Sequence, residues 1–244
     1  MISSDRFNFD ISYGIKNKID KLDINITASY LQTSQEVEEN IVLFPSGSTG
    51  QFLPPIGIFS DGVIGNPEVY EKHFRLGSDL TYLGFDKHVL KVGLGHYVGD
   101  IDKIKETKNF GLNPETGSLI LPGSPLVDVT DTSLVFMRED DRKNHFIFFQ
   151  DAWHFANDWE LTGGVRYDHF SDFGDTVNPR LALVWSTAVN LTTKLLYGEA
   201  FRAPSFVETR AINNPAVIGN PDLQPEEIKS YELAFDYRPS YEFG

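Results

Sequence analysis

Cysteine is absent from this chain, so neither a disulfide framework nor a thiolate metal site can exist in it. No apolar run approaches the roughly 18 residues of a membrane-spanning helix. The opening residues, Met1-Ile2-Ser3-Ser4-Asp5-Arg6, lack the apolar core of a secretory leader. Positive charge is scarce: 21 Lys and Arg stand against 35 Asp and Glu, a net charge of −14. That argues against a nucleic-acid partner, which requires a basic face. No phosphate loop, HExxH or GxSxG occurs, and Gly93-Leu94-Gly95 with Gly99 misses the dinucleotide-binding spacing. The six histidines, His73, His88, His96, His145, His154 and His169, show no metal-ligand spacing. The expectation is a protein without catalytic residues, metal site or cofactor. Asp100-Ile101-Asp102 and Glu139-Asp140-Asp141 read as solvated acidic loops.

What the chain does contain is ordered-protein composition, with 41 % hydrophobic residues, and many rings: 19 Phe and 10 Tyr among 244 residues. The dominant pattern is alternation with a period of two, the signature of strands with unlike faces. Phe7, Phe9, Ile11, Tyr13 and Ile15 oppose Asn8, Asp10 and Ser12. Leu22, Ile24, Ile26, Ala28 and Tyr30 oppose Asp23, Asn25, Thr27 and Ser29. The same reading gives strands at 73–84, 88–98, 144–155, 159–170, 180–186, 191–201 and 230–238, nine in all. Residues 144–155 are apolar on both faces, so their facing is not assignable from the pattern.

Connections alternate short and long. Short turns are read near 16–21, 85–87, 156–158, 187–190 and 239–241; long links at 32–72, 99–143, 171–179 and 202–229. That parity is expected where one strand end faces the periplasm and the other faces outward. Tyr and Trp near strand ends agree, because amphipathic rings favour the lipid–water boundary. Lipid offers backbone amides no partner, so a spanning sheet has to close on itself. The predicted class is all-β: an antiparallel meander forming part of a transmembrane β-barrel. Arg166, Asp168, Arg180, Glu232 and Asp236 fall on its polar, inward face.

Five segments then occur in order. Phe149-Gln150-Asp151-Ala152-Trp153 precedes Gly164-Val165-Arg166-Tyr167-Asp168. Asn178-Pro179-Arg180-Leu181 follows. Tyr197 leads to Phe201-Arg202-Ala203-Pro204-Ser205-Phe206 and Glu208. Gly219-Asn220-Pro221-Asp222-Leu223, with Pro225-Glu226, leads to Ser230-Tyr231-Glu232-Leu233. This succession resembles the late barrel strands of TonB-dependent outer-membrane receptors. The resemblance is carried by motifs over the last hundred residues and by pattern before them.

The resemblance implies a barrel of about 22 strands filled by an N-terminal plug. It implies bacterial outer-membrane lipid as surroundings, and TonB with its inner-membrane energising complex as partner through that plug. It also implies uptake of a scarce nutrient, a small-molecule metal chelate or another, foremost an iron–siderophore or similar metal complex. Residues 1–244 are then expected to be a partial barrel domain, without plug or final strands. Haem-uptake relatives place a histidine between the FRAP and NPNL boxes; residues 205–219 contain none. Pro204, Pro221 and Pro225 stiffen the loop, since proline removes an amide donor and fixes φ. Arg202, Glu208 and Arg210 are the candidate ligand contacts. Two other readings stay open: a passive channel or adhesin barrel, and a soluble β-sandwich binding module.

Overall fold

The computed structural model describes residues 1–49 and 56–239. Part of the expected link 32–72, and all but the first residue of the expected short turn at 239–241, lie outside them. The elements run β1 (Ile2–Ile19), β2 (Leu22–Val37), β3 (Val42–Phe44), β4 (Val63–Tyr82), β5 (His88–Lys108), β6 (Val127–Asp128), β7 (Asp141–Ala156), β8 (Trp159–Phe170), β9 (Gly174–Ala188), β10 (Leu191–Arg202), α1 (Phe206–Arg210) and β11 (Glu226–Tyr237). Nine long strands form one antiparallel meander in the order β1-β2-β4-β5-β7-β8-β9-β10-β11. The short β3 and β6 pair with the tips of β4 and β5. Among the described residues β1 and β11, at the ends, each have one neighbour, so the sheet they form is open.

Cross-strand register turns the sequence alternation into one continuous apolar wall. Phe9 faces Tyr30, which faces Phe74; Val92 faces Phe149, which faces Val165; Leu183 faces Leu195, which faces Leu233. Phe9, Phe74, Phe149, Val165, Leu195 and Leu233 are all exposed. A sandwich would bury this face; among the described residues all strands belong to the same sheet and none covers it. Rings gather at the short-turn end of the wall. Trp159 stacks on Trp185 at 4.9 Å, Trp153 lies over His88 at 5.6 Å, and Tyr82 meets Phe85 edge-on at 5.2 Å. An exposed apolar band edged by aromatic rings is what hydrocarbon and headgroup solvation select.

The opposite face is polar and internally paired. Arg166 grips Asp168 through two bonds of 2.7 Å, and Asn144 Nδ2 donates to the same carboxylate at 3.0 Å. Register settles the facing of 144–155. Phe146 and Phe148 point inward and lie over Gly95 and Gly93, their cross-strand partners. A Cβ at Gly93 would sit 2.3 Å from Phe148, and one at Gly95 2.4 Å from Phe146. Rings occupy the glycines' missing side-chain volume, so that strand is aromatic on both sides.

All four long connections are shorter than expected, the last running over 203–225 because β11 begins at Glu226. The first two long links are shorter than read, because β2 and β4 extend to Val37 and back to Val63, while β5 and β7 extend to Lys108 and back to Asp141. With 20 and 21 residues, β4 and β5 are about twice the length a tilted strand needs to cross a bilayer. Their tips therefore stand clear of the membrane. The third link, expected over 171–179, is a turn of Ser171, Asp172 and Phe173, closed by Gly174 at φ +88°. Asn178-Pro179 lies inside β9 and does not precede it. The β9–β10 ladder ends at Arg180↔Gly198, so beyond it β9 has a free edge toward β10. Proline's missing amide hydrogen costs no ladder bond there.

Candidate functional site

The dry core of this molecule is in its long connections, not between sheets. Ile101 and Ile104 on the β5 tip pack with Val129, Val135, Phe136 and Met137 of the 109–140 connection, and Phe206 of α1 leans on the cluster. A second cluster joins Phe59, Val63 and Phe110. Burial of such side chains contributes roughly 1.5–3 kcal/mol each. The 109–140 and 203–225 connections thus form a packed rim at the end of the wall away from the short turns.

Local sequence explains how the rim folds. Ser205 caps α1: its hydroxyl accepts from Glu208 N at 3.3 Å, while the Glu208 carboxylate accepts from Ser205 N at 2.7 Å. This reciprocal cap satisfies amides that a helix start leaves open. Arg202 sits between two carboxylates. It reaches Glu208 through two bonds of 3.0 Å, and Glu226 through bonds of 3.0 and 2.7 Å. Those Arg202 bonds, and then the Ser205 backbone and hydroxyl, pull the Glu208 carboxyl down to about 2. Glu208 is solvent-facing, so this shift reports geometry and carries little stabilisation. Arg210 Nε donates to Asp140, tying α1 to the neighbouring connection. All three expected ligand-contact residues, Arg202, Glu208 and Arg210, are thus engaged in ion pairs.

Gly219, Asn220 and Asp222 make one local turn contact and two bonds back to the α1 segment. Asn220 Oδ1 accepts from Asp222 N at 3.0 Å, Asn220 N donates to Glu208 O at 2.8 Å, and Gly219 N donates to Ala211 O at 2.7 Å. Phe201 meets Phe170 edge-on at 5.6 Å. Pro204 offers its carbonyl to Arg142 Nη1 at 2.8 Å. Ala203, Pro221, Leu223 and Pro225 shape the path between these anchors.

Arg142 was not singled out by sequence and is the central fastener. Its Nε and Nη2 donate to Asp172 Oδ2 at 2.8 and 2.6 Å. Its guanidinium lies between the rings of Phe173, at 5.2 Å, and Phe206, at 5.0 Å. One buried cation thereby joins β7, the β8–β9 turn and the 203–225 connection. Asn213 adds two bonds across the rim, to Ser133 O at 2.8 Å and Val135 O at 3.0 Å. Asn109 closes the other cluster by donating to Gly62 O at 2.9 Å and accepting from Ile64 N at 2.8 Å. No local motif flags these residues, because every partner is distant in sequence.

Clefts open among these parts. One of about 290 Å³ lies between Lys108–Leu112, Leu134 and Ile212–Pro215. Apart from Lys108 its walls are apolar and amide, which suits binding by shape and hydrogen bonding. Another, of about 360 Å³, fills the gap where β9 and β10 part, beside Arg180 and Phe201. Among the described residues, no three of His, Asp or Glu converge as a metal-binding group.

Comparison with known proteins completes the picture. The family described as "TonB dependent receptor-like, beta-barrel" matches residues 2–243. An iron-regulated outer membrane virulence protein of Vibrio cholerae serotype O1 is 35 % identical over 95 residues, which are 37 % of this chain and 15 % of that protein. The vitamin B12 transporter BtuB of Photobacterium profundum is 30 % identical over 96 residues, 39 % of this chain and 15 % of that one. The crystal structure of the siderophore receptor PirA from Pseudomonas aeruginosa superposes with a TM-score of 0.63 at 16 % identity, covering 98 % of this chain and 37 % of PirA. The chain thus spans about a third of the length of the solved receptor it matches, and at that identity the likeness speaks for the fold. An outward apolar wall, a polar lumen face, a packed outer rim and a family match along nearly the whole length agree: this chain belongs to the β-barrel family of TonB-dependent receptors of the bacterial outer membrane.

Proposed function

We propose that this chain forms wall and outer rim of a receptor that imports a scarce metal chelate, foremost an iron–siderophore complex, with energy supplied through TonB. The observation that carries the reading is the match over residues 2–243 to a receptor family, joined to a rim with its own buried apolar cluster. TonB and the inner-membrane complex would act through a plug held in the lumen, against the polar face bearing Arg166, Asp168 and Arg180. Pre-ordering of the 203–225 connection lowers the entropy lost when cargo is bound. Arg202, Glu208 and Arg210 serve the site by holding α1 in place and by bordering the cargo's path. A second reading, cobalamin uptake, is favoured by the relative named as a vitamin B12 transporter.

The test is uptake of radiolabelled chelates by iron-starved cells with the receptor gene intact, deleted or restored, each with and without TonB. Receptor-dependent, TonB-dependent accumulation supports the proposal. Accumulation that persists without TonB assigns the barrel to passive diffusion.

A further inference from the structure

The outer connections are acidic to a degree that composition hides. Residues 38–62, 109–140, 171–173 and 203–225 carry eleven carboxylates, two arginines and no lysine. One of those arginines, Arg210, is spent on Asp140. The other, Arg138, borders a cleft beside Asp131 and Glu139. The strand tips beneath add cations, but these are spent as well. Lys103 pairs with Asp131 at 3.7 Å, Lys105 with Glu68 at 3.7 Å, Lys143 with Asp141 at 3.1 Å and Arg142 with Asp172 at 2.6 Å. Arg202 is divided between Glu208 and Glu226.

The clefts agree independently of the charge count. The cleft beside the 203–225 connection is lined by Phe110, Leu112, Leu134, Ile212, Asn213 and Asn214. Its single cation, Lys108, is 2 % exposed, 3.5 Å from Glu106 and 5.1 Å from the Phe110 ring, and donates to Leu134 O. An anion entering there would have to take that ammonium from its carboxylate. The cleft between Asn40, Ser60, Asp61 and Asn109 adds amides, hydroxyls and one further carboxylate to the apolar Phe59, Ile64 and Leu126, and among the described residues no cation lines it.

Deepening the proposed function and resting on it, we propose that this part of the mouth selects against anionic cargo. The chelate it admits is uncharged or cationic, and places an amide- or aryl-bearing edge in the Phe110–Asn213 cleft. A trianionic complex would face the repulsion of unpaired carboxylates, and the one arginine of these connections that makes no ion pair among the described residues, Arg138, is flanked by Asp131 and Glu139. Long-range repulsion of this kind slows association and fades with salt.

The experiment uses the full-length receptor in cells, with three probes: ferric tris-catecholate (trianionic), ferric tris-hydroxamate (uncharged) and cyanocobalamin (uncharged). Receptor-dependent uptake of an uncharged probe, with the trianionic one at least tenfold poorer, is the expected result. The Glu115→Lys and Asp222→Lys double variant changes two exposed carboxylates that make no ion pair among the described residues. It should raise trianionic uptake several-fold at low salt and not at high salt. A Leu112→Trp change, which fills the cleft, should reduce uptake of the uncharged probe. Receptor-dependent uptake of the trianionic probe at equal or higher rate overturns the charge inference and leaves the transporter reading standing. Receptor-dependent uptake of none of the three overturns the chelate reading, and the inference falls with it.

Discussion

Replacing Arg142 with Met tests whether the rim is held by one cation. The substitution preserves apolar length between Phe173 and Phe206 but deletes three hydrogen bonds, two to Asp172 and one to Pro204 O. The Arg142 and Asp172 side chains are 9 % and 10 % exposed, so solvent screening is weak. Asp172 Oδ1 already has no hydrogen-bond partner, which leaves that carboxylate dependent on the arginine. Breaking a buried pair from one side costs about 3–5 kcal/mol, mostly the penalty of the stranded charge. The wall is held by its own ladders, so the loss should appear as local opening of the rim. At about 1.4 kcal/mol per decade, amide exchange in peptides covering 203–222 should quicken by two to three and a half decades, roughly 100- to 4,000-fold. The Ile212 and Gly219 amides, which donate to Phe136 O and Ala211 O, should respond most. Hydrogen exchange read by mass spectrometry on the receptor in detergent gives the number. An Arg142→Met, Asp172→Asn double variant should recover part of the loss, because the orphaned charge is gone. Exchange unchanged within twofold in the single variant would refute the clamp.

Three further outcomes follow from the same structure. The Glu208 carboxyl titrates at about 2 in the folded rim and near 4.5 when unpaired; its contribution is therefore complete above 4.5 and is lost as pH falls toward 2. Carboxyl-selective NMR should place that midpoint near 2, and Arg202→Gln should return it toward 4.5. Gly95→Ala puts a methyl 2.4 Å from Phe146 and 2.8 Å from Leu76 O. Overpacking of this kind costs about 1–3 kcal/mol, visible as a lower urea midpoint after refolding into liposomes. Leu233→Arg introduces a charge on the lipid face and should destabilise by about 2–4 kcal/mol, whereas the neighbouring Glu232→Arg, on the lumen side, should cost far less in the same assay.

Most of the wall was legible because alternation is a local property. Side chains two apart share a face in any strand, so Phe7-Phe9-Ile11 or Leu233-Phe235 declares its facing without knowledge of a partner. Strand 144–155 was illegible for a reason that is not local: Phe146 and Phe148 fill space vacated by Gly95 and Gly93 on another strand. The 171–179 link misled because proline reads as a strand breaker. Only the β9–β10 divergence shows that this proline sits where no ladder bond was required.

The rim divides in the same way. The Ser205–Glu208 cap and the Asn220 turn are contacts within three residues, and their residue types announce them. Arg142, by contrast, finds Asp172 and Pro204 at separations of 30 and 62 residues, and Asn213 bonds Ser133 across 80. Nothing in the flanking residues distinguishes such a side chain from a solvated one. The amino-acid sequence alone therefore determined the strand period, the membrane-facing rows, the turn chemistry and the family. Which cations are free and which are spent was decided only by tertiary structure, because pairing depends on distances that chain folding sets between residues far apart in sequence.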